Sequence, residues 1–274
     1  MKFKYLVIVF SILIVIIISI TALFPLLVGG PDFAATFRFF SLPLLIFMIL
    51  LLGIIGIVLL FNYRLLSLLE REDWPALAYY LEQKIYIKGR YYSRYVRLLA
   101  SSYFVITDFQ SVLKLESKAQ LNNPSVIKKN VLLFGAARIL SKNHMEAAAF
   151  FNSYLQKDKN NQWVRWFYGF SQLLTGAFSV VEPEFSSLAV SSNSALITGL
   201  SAYFLNDPIA KYSSDPEKCR KIADTGKERV IKSHKNFAGW NKEVERMSTN
   251  IHVAIIRKYI NETGAWLFGS KGKF

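Results

Sequence analysis

The chain has 274 residues, 53% of them hydrophobic, and a formal net charge of +14. A single cysteine, Cys219, rules out an internal disulfide, and no Cys/His spacing suits a metal. The charge is +2 over residues 1–61 and +6 over each of 62–205 and 206–274. No helix-turn-helix, RNP-type or zinc-finger signature accompanies it, so it points to anionic lipid headgroups rather than nucleic acid.

Residues 5–28 (YLVIVFSILIVIIISITALFPLLV) form an uncharged run behind Lys2 and Lys4. The run is longer than the roughly 7–15 apolar residues of a signal peptide, and no A-x-A site follows it. It therefore reads as a retained transmembrane helix. Gly29, Gly30 and Pro31 then predict a helix break and a short link over 29–40. Phe33, Phe37, Phe39 and Phe40 read as an interfacial aromatic belt. Residues 41–61 carry no charge, and 21 helical residues span roughly 31 Å, the thickness of a bilayer's hydrocarbon core.

These two spans predict a transmembrane hairpin over 1–61. Lys2 and Lys4 flank the first span, Arg64 and Arg71 follow the second, and the link holds only Arg38. The positive-inside bias then places both chain ends and the large domain on the cytoplasmic side of a bacterial-type inner membrane. Neither span has an ionisable residue in its interior, which favours an anchor over a transport path. No breaker separates Phe61 from Trp74, so the second span is expected to run on into the first soluble helix.

Over 62–205 a pattern repeats. Four segments, DWPALAYYLEQ, DFQSVLKLESKA, HMEAAAFFNSYLQK and AFSVVEPEFSSLA, each follow an apolar helical stretch and a turn. Their bulky openers, Trp74, Phe109, Met145 and Phe178, are spaced by 35, 36 and 33 residues. The pattern is helix, short turn, helix, repeated.

This pattern resembles the tetratricopeptide repeat (TPR). In the fourth unit Gly169 falls at that family's small first-helix position, Gly176 at its turn and Phe178 at its second-helix opener. Leu99, Ala100, Tyr103, Phe109, Ala119 and Pro124 match in the second unit, and Ala136, Met145, Ala148 and Leu155 in the third. The family's second-helix alanine is kept only as Ala148; elsewhere it is Leu77, Val112 and Val181. The resemblance implies an all-α fold, a TPR-like α-solenoid of about four helix pairs. It also implies a groove lined by the first helices. The groove positions are Arg94, Arg97 and Ser101 in the second unit, Asn130 and Leu133 in the third, and Trp163, Trp166 and Phe170 in the fourth. The two arginines do not reproduce the carboxylate clamp known in that family.

Residues 206–274 read as a basic helical cap. Asp215 is the expected N-cap of a helix with Pro216 at its first position. A second helix is expected over WNKEVERMSTNIHVAIIRKYINE, with Val244, Met247, Ile251, Ala254, Ile255 and Tyr259 on one face. The tail (GAWLFGSKGKF) reads as a frayed terminus, the alternative being an interfacial membrane contact through Trp266, Leu267 and Phe268 beside Lys271 and Lys273.

His144, His234 and His252 share no ligand spacing and read as structural, with their hydrogen bonds satisfied. Glu182 and Glu184, straddling Pro183, read as a solvated helix start. The sequence holds no catalytic constellation and no cofactor motif. The expectation is a non-enzymatic, membrane-anchored adaptor that binds a protein partner or assembly as well as lipid. The alternative is a structural subunit of a larger envelope complex packed through the hairpin.

Overall fold

The structure is a computed structural model and describes residues 3–28 and 30–269. Every regular element among the described residues is helical. The chain divides into two compact units, Met1–Tyr80 and Leu81–Phe274.

In the first unit α1 (Phe3–Val28) packs against α2 (Gly30–Glu70). Residues 30–40, expected as a non-helical link, are the first turns of α2. Pro31 stands in the first turn, where its missing N–H would have no intrahelical partner anyway, so it opens a helix rather than ending one. Gly29 and the side chains of Phe33, Phe37, Phe39 and Phe40 lie outside the described residues. Where the sequence predicts two spans, one helix among the described residues, Ile46–Glu70, is long and apolar enough to cross a membrane. Ile8–Ile20 is a shorter apolar helix. The apolar window of Ile46–Glu70 is not buried within the protein, and Leu60 and Phe61 are each 80% exposed. So large an uncovered apolar surface suits an apolar medium or partner.

The helices that follow are α3 (Trp74–Glu82), α4 (Ser93–Val105), α5 (Phe109–Asn122), α6 (Pro124–Lys129), α7 (Val131–Leu140) and α8 (His144–Leu155). Next come α9 (Gln162–Leu174), α10 (Phe178–Ser191), α11 (Ala195–Phe204), α12 (Pro216–His234), α13 (Phe237–Met247), α14 (Ile251–Ala254) and α15 (Arg257–Phe268). From α7 to α12 successive helices pack on one another, and the first helices α4, α7, α9 and α11 also pack in series.

The same turn occurs four times. Glu72, Thr107, Lys142 and Gly176 all have positive φ (55°, 59°, 62° and 80°). After each, the next residue's N–H donates to the carbonyl five positions back: Asp73 to Leu68, Asp108 to Tyr103, Asn143 to Arg138 and Ala177 to Gln172, at 2.9–3.2 Å. This is the Schellman motif, which satisfies the carbonyls left open at a helix end. Only Gly176 adopts it without steric penalty; the other three spend about 1 kcal/mol each.

The recurrence fixes the register. The second helices start at Trp74, Phe109, His144 and Phe178, at intervals of 35, 35 and 34 residues. His144, not Met145, therefore opens the third, and Met145 is 78% exposed. The shift aligns Ala147, not Ala148, with Leu77, Val112 and Val181, all fully buried. It also aligns Gly135, not Ala136, with Gly169. A side chain at Gly135 would collide with the Phe151 ring, and one at Gly169 with Phe185. These glycines let first and second helices approach over a buried phenylalanine.

Ion pairs tie neighbouring helices: Arg138 on α7 with Glu116 on α5, and Arg165 on α9 with Glu184 on α10 at 2.8 Å. Glu184 is thus half-buried and paired, and Pro183 lies inside α10, contrary to the expected solvated helix start.

At the C-terminal end Asp215 caps α12, its Oδ1 accepting from Lys218 N at 3.0 Å. The long helix expected over 240–262 is broken at 248–250. Ser248 Oγ donates to Glu245 O at 2.7 Å and Asn250 Nδ2 to Met247 O at 3.2 Å, short polar side chains taking the carbonyls a continuing helix would use. The break redirects the chain, so that α14 lies on α7 and α15 on α11, α12 and α13. Leu267 is buried and Trp266 packs against Tyr203 at 6.1 Å, so the tail is ordered packing as far as Phe268, not a frayed end. Lys271 and Lys273 lie outside the described residues.

Candidate functional site

The first helices and the returning C-terminal segment enclose a cleft of about 430 Å³. Asn130 organises it. This residue joins α6 to α7 and is only 4% exposed. Its Nδ2 donates to Val126 O at 2.8 Å and to Ser93 Oγ at 3.2 Å. Its Oδ1 accepts from Arg97 Nε at 3.2 Å, which holds the Arg97 guanidinium at the cleft. One turn along α4, Ser101 Oγ donates to Arg97 O at 2.8 Å. Lys128 and Lys129, in the last turn of α6, add two more cations.

Asn161 also lines the cleft. It caps α9, its Oδ1 accepting from Val164 N at 3.2 Å. The remaining wall is the turn Thr249–His252 ahead of and into α14. Here the His252 ring packs on Trp163 at 5.0 Å and on Phe167 at 6.2 Å. Its Nε2 is buried without a partner, so the satisfied histidine expected from the sequence is not what the fold holds. Burial lowers its pKa to about 4, and the imidazole is neutral at pH 7. Among the described residues no Asp or Glu lines the cleft.

Four of the eight expected groove residues meet here: Arg97, Ser101, Asn130 and Leu133. Arg94 does not; its guanidinium lies over the Tyr95 ring at 4.8 Å and donates to Tyr95 Oη at 3.2 Å. Trp166 and Phe170 are core residues, 0% and 3% exposed. Trp166 stacks on Phe170 and Phe185, at centroid distances of 5.0 and 5.8 Å, and Tyr259 of α15 covers Phe170 at 5.4 Å. The chain's own C-terminal helices fill that half of the face, which leaves these two rings no surface for a partner. Trp163 is half-buried and borders a second cleft of about 620 Å³ with Arg229, Glu243 and Arg246.

Sequence reasoning missed Lys128, Lys129, Asn161 and the 249–252 wall. The adjacent lysines before Asn130 were visible as charge, but the wall depends on the break at Ser248–Asn250, which the apolar periodicity across it conceals.

Residues 111–269 match the family described as "Uncharacterised Treponema protein". The match spans more than half of the chain. The protein belongs to this family. The matched region runs from α5 to the end of α15 and so includes Lys128, Asn130 and the His252 wall, with Arg97 outside it. A Treponema pallidum (strain Nichols) protein described as "Uncharacterized protein" is 28% identical over 245 residues, covering 84% of this chain and 76% of its own.

Proposed function

We propose that the protein is a membrane-anchored, TPR-like adaptor that holds a protein partner or assembly at the membrane surface. In this reading α1 and α2 form the anchor, and the helical repeat is a solenoid on the cytoplasmic side. The output is binding, and no reaction is assigned. The observation that carries it is the cleft between α4, α7 and α9, where Arg97, Lys128 and Lys129 line an open surface without a carboxylate partner among the described residues. Stacked helix pairs present extended surfaces of this kind, and Arg is enriched where such surfaces bind.

The test is in-cell photocrosslinking from the full chain. A crosslinker at Ser101 should trap one defined protein, and a crosslinker at the exposed Ala149 on α8 should not. The adduct should disappear when Arg97 and Lys128 are both replaced by Glu. Equal trapping from both positions, or an adduct indifferent to charge reversal, overturns the reading.

A second reading, a subunit packed through its membrane helices, draws on α2. Gly53 and Gly56 have nothing within 4 Å of where a side chain would begin, a gap that suits close approach by another helix. Replacing the anchor with an unrelated one separates the two: an adaptor keeps its crosslink, and a packed subunit loses it.

A further inference from the structure

We infer that the cleft at Asn130 is a binding site for a phosphomonoester group carried on an apolar body. The inference rests on the cleft being the functional site and adds the chemistry of its occupant. Elsewhere in this unit the arginines that bridge helices are neutralised: Arg138 faces Glu116 and Arg165 faces Glu184. In the larger second cleft Arg246 pairs with Glu243 at 2.6 Å, and Arg229 donates to Ala189 O and Ser192 O at 2.8 and 3.0 Å. The cleft at Asn130 departs from this pattern. Among the described residues Arg97, Lys128 and Lys129 have no carboxylate partner within ion-pair distance, and none lines the walls.

Three cations that line one cleft without a carboxylate among them make it attractive to an anion. The arrangement is also built to hold one. Arg97 uses Nε on the buried Asn130, which leaves its two terminal nitrogens as a preset fork. The first turn of α9, capped by Asn161, begins at the same cleft and adds the positive end of its helix dipole.

A carboxylate brings one charge and two oxygens. A phosphomonoester brings nearly two charges and three oxygens, which suits three cations better. The space exceeds a bare phosphate and falls in the range of small-ligand sites, roughly 300–1,000 Å³. Val131, Leu133, Val164 and Ile251 supply an apolar wall for whatever carries the phosphate.

The group could arrive on a free small molecule or on a phosphorylated side chain of the partner, and the test separates the two. The full chain in detergent is titrated with phenyl phosphate, benzoate and inorganic phosphate, and with a phosphotyrosine peptide beside its unphosphorylated form. Phenyl phosphate should bind about tenfold or more tightly than benzoate, as expected for an added charge-assisted bond. Replacing Lys128 and Lys129 together by Ala should weaken it about tenfold or more, with no fall in the unfolding midpoint; Arg97→Lys should weaken it less than Arg97→Ala. Tighter binding of the phosphopeptide than of phenyl phosphate assigns the group to a partner, and the reverse assigns it to a small molecule.

Equal affinity for benzoate and phenyl phosphate, or phenyl phosphate binding that survives loss of both lysines, overturns the inference. If phenyl phosphate fails to bind while the Ser101 crosslink persists, the phosphate assignment falls and the adaptor reading stands. If phenyl phosphate binds but no crosslink forms, the adaptor reading falls alone.

Discussion

The face made by the first helices has two halves of opposite character. From α9 onward it is aromatic and closed: Trp166, Phe170 and Phe204 pack under α15, with Tyr259 over Phe170 at 5.4 Å and over Phe204 at 5.3 Å. Across α4, α6 and α7 it is cationic and open, around Arg97, Lys128, Lys129 and Asn130. Both halves belong to the same helix series, so that series alone does not decide which part stays open. The chain's own C-terminal segment decides, because it covers the half that offers apolar area. What stays open is what the chain cannot satisfy from within, and that is charge.

The comparison breaks most clearly at Trp166. If the aromatic half is core, Trp166→Ala removes a fully buried indole stacked between Phe170 and Phe185 and leaves a cavity. A loss of about 3–5 kcal/mol is expected, read as a drop in the unfolding midpoint of the full chain in detergent. A loss under about 1 kcal/mol would mean that the C-terminal cover is not seated on this ring.

His252 sits where the two halves meet, and its titration sharpens the boundary. Its pKa is depressed by burial to about 4 in the folded chain, against the usual 6.5 when unfolded. Below pH 6.5 the unfolded chain therefore takes up a proton that the folded chain refuses, so stability falls as the pH drops. The loss ends near pH 4, where the folded form protonates too, and amounts to roughly 3 kcal/mol at most. Between pH 6.5 and 5 the His252→Gln variant should lose less stability than the native chain. An identical slope in both would place His252 in water rather than against Trp163.

Much of this was legible in the sequence. Turn chemistry and bulky openers pointed to the helix starts at Trp74, Phe109 and Phe178, and Asp215 with Pro216 to the start of α12. The third unit slipped by one residue because Met145 is the bulkier of two neighbours, whereas the turn at Lys142 sets the register through φ, which composition does not display. Half of the expected positions meet in one cleft because Arg97 lies on α4 and Asn130 immediately ahead of α7, places that follow from the helix spacing. The aromatic half was misjudged for a physical reason. A tryptophan pair on a helix face looks the same whether a partner or the chain itself covers it, and the cover comes from residues about 90 positions further on. The link over 30–40 failed because glycine and proline end one helix and start another with equal ease.

The smallest expected effect is on the open half, and it separates binding from stability most cleanly. Lys128 and Lys129 are both exposed, and neither takes part in an ion pair among the described residues. Replacing both by Ala removes no core contact, so the change should stay within about 0.5 kcal/mol. Its sign is informative. Two fewer cations beside Arg97 relieve repulsion, so the double variant should be slightly more stable than the native chain at low salt. That gain should vanish near 0.5 M salt, where the screening length falls to about 4 Å. A stabilisation indifferent to salt would mean that the lysines do not feel Arg97, and the open half would then be a loose collection of surface charges. A salt-dependent gain, small as it is, would show that the fold holds these cations together at a cost to its own stability.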